Sequence, residues 1–108
     1  MATLSVQKLS LSGITLTFSA CDAAGDEFEN SGEAFIYVKN SDTVDHTVIV
    51  NSQQPCSYGF DHDVSVTVPA GGEKLIGTFP KDRFNDSNGK VQISYDAVTG
   101  LTIAVVEV

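Results

Sequence analysis

The chain has 108 residues, of which 42% are hydrophobic and 19% charged, and a formal net charge of −8. That length makes one domain able to bury roughly two-thirds of its unfolded surface, and the composition is globular rather than disordered. The charge argues against nucleic-acid binding, which needs a basic face, and runs such as "IAVVEV" are too short to span a bilayer.

Residues 1–21 contain no acid and one base, Lys8. No basic–apolar–small-residue leader opens the chain, which argues against a cleaved signal. Leu4, Val6, Leu9 and Leu11 punctuate residues 1–12, which read equally as an arm that orders on a partner or as an edge strand. Residues 13–108 read as a single β-sandwich domain. "ITLTF" predicts a strand over 14–18, with Ile14, Leu16 and Phe18 on one face and Thr15 and Thr17 on the other.

Residues 22–63 hold nine acids against Lys39 alone. Within them, "DAAGDEFENSGE" (22–33) approaches a twelve-residue calcium loop, with oxygen-bearing Asp22, Asp26, Asn30 and Glu33 at positions one, five, nine and twelve. Ala24 at position three and Glu27 at position six, where the sharp turn requires glycine, break the match. A solvated acidic loop leading into a strand is the better reading.

"AFIYVKN" and "HTVIV" predict strands joined as a hairpin through "NSD" (40–42). "VSVTV" (64–68) alternates Val64, Val66 and Val68 with Ser65 and Thr67, and "PAGG" (69–72) turns it toward "EKLIGTF". "NDSNG" (85–89) leads into "KVQISY", and "VTG" (98–100) precedes the last strand. No useful stretch repeats apolar residues at three and four, so no substantial helix is expected. The expected fold is all-β: a two-layer antiparallel β-sandwich, jelly-roll-like, of about eight strands. "FIYV" (35–38) and "IAVV" (103–106) are apolar on both faces. A C-terminal strand at a sheet edge would make Leu101, Ile103, Val105 and Val106 an interface, together with Leu4, Val6, Leu9 and Leu11.

Catalytic and metal signals are weak. Asp61 and Asp63 flank His62 and could orient it, but no nucleophile is placed beside it; Ser57 and Cys56 are merely near in sequence. Cys21, His46, Cys56 and His62 could form a tetrahedral zinc set, yet their spacings of 24, 9 and 5 intervening residues match no zinc module. Cys21 and Cys56 read as free thiols in a reducing compartment. No Gly-rich phosphate loop follows a strand, and a chain without Trp has no obvious sugar-stacking platform. The reading is non-enzymatic, with no cofactor.

From residue 25 onward the chain resembles small β-sandwich virion proteins of tailed bacteriophages. The resemblance lies in "GDEFENSGEAFIYVKNSD", "VTVPAGG", "IGTFPKDRFND" and the closing "KVQISYDAVTGLTIA". It implies a capsid cement or decoration protein on the outer surface of the head. Such a protein would be made in the bacterial cytoplasm, bind the major capsid protein, and form a symmetric homo-oligomer. The resemblance carries no catalytic residues. A head–tail joining or tail component is the alternative, and a carbohydrate-binding sandwich a third, because fold alone does not fix function.

Overall fold

A computed structural model describes residues 2–53 and 63–108. In chain order the described elements are β1 (Ala2–Thr3), β2 (Val6–Lys8), β3 (Ser19–Ala20), β4 (Asp26–Glu29), β5 (Ala34–Asn40), β6 (His46–Val50), β7 (Val64–Val68), β8 (Glu73–Gly77), α1 (Lys81–Phe84), β9 (Lys90–Tyr95) and β10 (Leu101–Glu107). One sheet has the order β1-β4-β9-β6-β7, the other β2-β10-β5-β8, with β3 also on β10.

Strands β3 to β10 pair as one long hairpin rolled up on itself. β3 meets β10, β4 meets β9, β5 meets β8 and β6 meets β7, all antiparallel. This is the eight-strand jelly roll, which buries one face of each sheet against the other. The two additional strands come from the N-terminus. β1 lies parallel to β4 and β2 parallel to β10, so the sandwich is mixed rather than purely antiparallel. The opening segment is therefore split between both sheets, and Leu4, at the crossing, belongs to the core. Within this segment, residues 2–3 and 6–8 are the end strands of the two sheets.

Period-two alternation builds the core. In β5, Ala34, Ile36, Val38 and Asn40 are buried while Phe35 and Tyr37 are half-buried. Val48 and Val50 of β6, Val68 of β7, and Val91 and Ile93 of β9 face them from the other sheet. Phe28, Phe79 and Phe84 close one end, with ring centroids 6.0 and 5.3 Å apart in succession. Phe84 comes from α1, a single turn too short to contradict the expectation of no substantial helix.

Several sequence expectations change. "NSD" and "PAGG" do not close hairpins: β5 and β6, like β7 and β8, lie in opposite sheets, so these turns are arches across the sandwich. Buried Asn40 holds both arches, donating from Nδ2 to the carbonyls of Val44 (2.9 Å) and Val68 (3.1 Å). Asn30 acts likewise at the other end, donating to the Phe79 carbonyl and to Asn85 Oδ1, each at 2.8 Å. Residues 26–29, expected in a solvated acidic loop, form β4, with Asp26 and Phe28 inward and Glu27 and Glu29 on the other face.

The strand expected over 14–18 does not form; β3 is only Ser19–Ala20. The returning chain meets an edge of β10 that β2 already occupies from Val105 to Glu107, which leaves Thr102 and Ile103 for pairing.

Candidate functional site

Residues 9–14 form a projecting loop whose sequence, "LSLSGI", carries no charge. Its start is the last rung of the β2–β10 ladder, where Leu9 N–H donates to the Glu107 carbonyl at 2.9 Å. The chain then leaves the sheet in a turn closed by Gly13 N–H on the Ser10 carbonyl, also 2.9 Å. Gly13 sits at φ +86°, a left-handed conformation that strains a residue with a Cβ. The Ser10 and Ser12 hydroxyls bond to each other at 2.9 Å, and Ser10 Oγ also accepts the Ser12 N–H.

The loop's base is anchored twice. The Gln7 side chain donates to the Thr17 carbonyl at 2.9 Å and accepts the Thr17 N–H at 2.8 Å. Phe18 then stacks edge-on against Tyr37, centroids 5.2 Å apart, with Lys39 Nζ 4.4 Å above the Phe18 ring. What projects beyond is apolar: Leu9 is 49%, Leu11 fully and Ile14 38% exposed. The other large exposed apolar side chains among the described residues, Val44, Leu75 and Val108, lie apart in sequence. Three in six consecutive residues make this loop the candidate contact surface.

The interface expected from sequence is only partly here. Leu9 and Leu11 lie on the loop; Leu4 is buried, and Val6 is half-buried against the core. Leu101, Ile103, Val105 and Val106 are at most 1% exposed and cannot meet a partner in the folded chain. The reason is topological. β10 is an interior strand, flanked by β5 on one side and by β2 and β3 on the other. Ile14, expected on one face of a 14–18 strand, lies instead at the end of this loop, just after the positive-φ Gly13.

The polar clusters read as structural. Tyr95 donates its hydroxyl to Asp26 Oδ2 at 2.6 Å, and Asp26, fully buried, also accepts the Asp22 N–H there. Asp26 Oδ1 is buried without a hydrogen-bond partner among the described residues. Cys21 lies beside Tyr95, and burial pushes its thiol up to about 12, with partial relief from the Tyr95 hydrogen bond. A thiol so far from ionisation is a poor nucleophile or metal ligand. Burial and the bond to Asp26 likewise raise the Tyr95 phenol above its ordinary value.

His46 is buried between two carboxylates, with Nε2 2.9 Å from Asp42 Oδ2 and Nδ1 3.4 Å from Asp96 Oδ1. The Asp42 hydrogen bond raises its pKa. Both ring nitrogens are thus turned to carboxylates of the fold itself. Asp22, Asp26, Asn30 and Glu33 do not converge: Asp26 turns inward to Tyr95, and Asn30 bonds Phe79 and Asn85. Among the described residues no three His, Cys, Asp or Glu side chains are grouped to hold a metal. Cys56, Ser57, Asp61 and His62 lie outside the described residues.

On the outer face of the first sheet, Glu27 takes hydrogen bonds from Thr3, Lys90 and Gln92 at 3.0, 3.2 and 3.0 Å. This ties β1 to β4 and β9 and lowers the Glu27 pKa, the Gln92 bond contributing most. Compared with known proteins, the chain matches no family model, no curated protein and no solved structure.

Proposed function

We propose that this chain is a non-enzymatic structural protein of a tailed-phage virion, a capsid cement or decoration protein that holds the outer surface of the head through its 9–14 loop. One observation carries the reading: an anchored, uncharged loop presents Leu9, Leu11 and Ile14 to solvent on a chain of net charge −8. The resemblance of residues 25–108 to phage virion sandwiches supplies the partner, the major capsid protein.

The physical logic is a division of labour. An acidic body opposes indiscriminate aggregation of the free protein before a shell is available. Apolar area buried at a joint between capsomers supplies affinity, at roughly 25 cal/mol per Å² before the costs of association. Gln7 and Phe18 hold the loop base in place, so less conformational freedom is lost on contact.

The test mixes purified protein with expanded heads that lack it, sediments them and counts bound copies. Shell cement binds at roughly hundreds of copies per head, whereas a joining ring saturates near a dozen. Leu9→Asp with Leu11→Asp should abolish binding while leaving the fold intact. No binding by the folded wild-type chain refutes the reading.

A further inference from the structure

We infer that β7 is a self-recognition edge, through which two copies of this chain join about a two-fold axis into one continuous sheet. Among the described residues β7 pairs only with β6, and it ends its sheet.

The direction of its backbone groups follows from β6. Thr47 accepts the Asp96 N–H and Asn51 donates to the Gln92 carbonyl, so odd-numbered residues of this segment face β9. His46, Val48 and Val50 therefore face β7, opposite Val68, Val66 and Val64. Ser65 and Thr67 are left pointing their N–H and C=O groups to the side where the described residues place no strand.

Those groups are self-complementary. If Val66 lies opposite Val66 of a second copy, Ser65 falls opposite the second copy's Thr67 and Thr67 opposite its Ser65. Both are hydrogen-bonded positions of an antiparallel ladder, giving four N–H···O=C bonds across the seam. The sequence "VSVTV" reads nearly the same in both directions, so valine meets valine on the inner face and hydroxyl meets hydroxyl on the outer.

Charge and shape favour the same occupant. From Val64 to Gly72 there is no charged residue, so two chains of net charge −8 would meet along a stretch that itself carries no charge. β7 also lacks the inward charge, proline or bulge that blunts free edges. Along this side opens a cleft of about 350 Å³, lined by Val64, Val66, Ile76, Phe79 and Phe84 and also by Arg83. A second copy on β7 would cap it. The 9–14 loop follows β2, at the opposite edge from β8, so a dimer would carry its two loops at its far ends. The inference stands independently of what those loops bind.

Sedimentation equilibrium at about 100 µM, a concentration that populates micromolar contacts, should give twice the chain mass. Ser65→Lys with Thr67→Glu places opposite charges across the seam and should keep the dimer. Ser65→Lys with Thr67→Lys places like charges there and should give the monomer, although it lowers the net charge that repels copies. Within one chain these positions face Ile49 and Thr47, so both variants should melt like the wild type. Ser65→Pro, which removes an outward N–H and no ladder bond inside the chain, should also be monomeric. A monomeric wild type, a folded Lys/Lys variant that still dimerises, or a folded dimeric Ser65→Pro each overturns the inference.

Discussion

The side-chain amide of Gln7 does for Thr17 what a neighbouring strand would do: Nε2 donates to the Thr17 carbonyl at 2.9 Å, and Oε1 accepts its N–H at 2.8 Å. A single side chain thus replaces the ladder that the 14–18 segment lacks and fixes the base of the projecting loop.

Gln7→Ala should cost about 1 kcal/mol of stability, because two exposed hydrogen bonds are exchanged for water. The larger effect should be local. Amide exchange at Thr17 should accelerate in the variant while exchange in β5 and β10 stays near wild type. Unchanged protection at Thr17 would show that the clasp does not hold the loop.

Leu11→Asp should shift stability by less than about 0.5 kcal/mol, since the side chain is fully exposed. Val105→Asp should prevent folding, because it puts a charge in the core of an interior strand. Deleting residues 2–8 should destabilise the sandwich by removing Leu4, β1 and β2. Thermal melts of the three variants separate loop from core; a Leu11→Asp midpoint as low as that of the deletion would contradict the assignment.

His46 gives the fold a pH dependence of definite sign. Its folded pKa lies above the unfolded value of about 6.5. The stabilisation is therefore complete below the unfolded value and is lost as pH rises through the folded one. A neutral imidazole has one N–H, so Asp42 or Asp96 then loses its donor. The two carboxylates flank the arch over 41–45 and the turn at 96–100, which Ser41 N–H joins through the Gly100 carbonyl at 2.9 Å. The melting midpoint should fall between pH 6 and pH 9, and His46→Gln should flatten that fall. A midpoint that rises over this window, with the wild type and variant parallel, would contradict it.

Cys21 should resist thiol reagents in the native protein. In a Cys56→Ser background, labelling at pH 8 should be negligible until denaturant is added and then count one thiol per chain. This follows from its burial and its pKa near 12. Rapid native labelling would show that the pocket around Tyr95 opens.

The strands that the sequence displays best are the alternating 64–68 and 91–95 and the apolar runs 35–38 and 103–106, all of which lie in strands. β4 was hidden because acids occupy both of its faces, Asp26 on one and Glu27 and Glu29 on the other. Asp26 points inward to the Tyr95 hydroxyl, sixty-nine residues away, and no local pattern reports such a partner. Turn residues at 40–42 and 69–72 mark a reversal of the chain but not which sheet receives the next strand. That choice is made by the β5–β8 and β6–β7 pairings. The last strand read as an edge because it is terminal, yet in a rolled-up hairpin the last strand pairs with the first and lies inside. For the same reason half of the expected interface became core. Leu9 and Leu11 kept their place because Gly13 turns the chain away from the sheet before the alternation resumes.

The central claim is that the 9–14 loop grips a phage shell. A density map of heads saturated with this protein, at a resolution that separates the two sheets, tests it most directly. The account predicts copies spread over the outer shell at joints between capsomers, with Leu9, Leu11 and Ile14 against the shell and the Glu27 face turned away. Copies confined to a ring at the portal, or shell-bound copies whose 9–14 loop faces solvent, would contradict it.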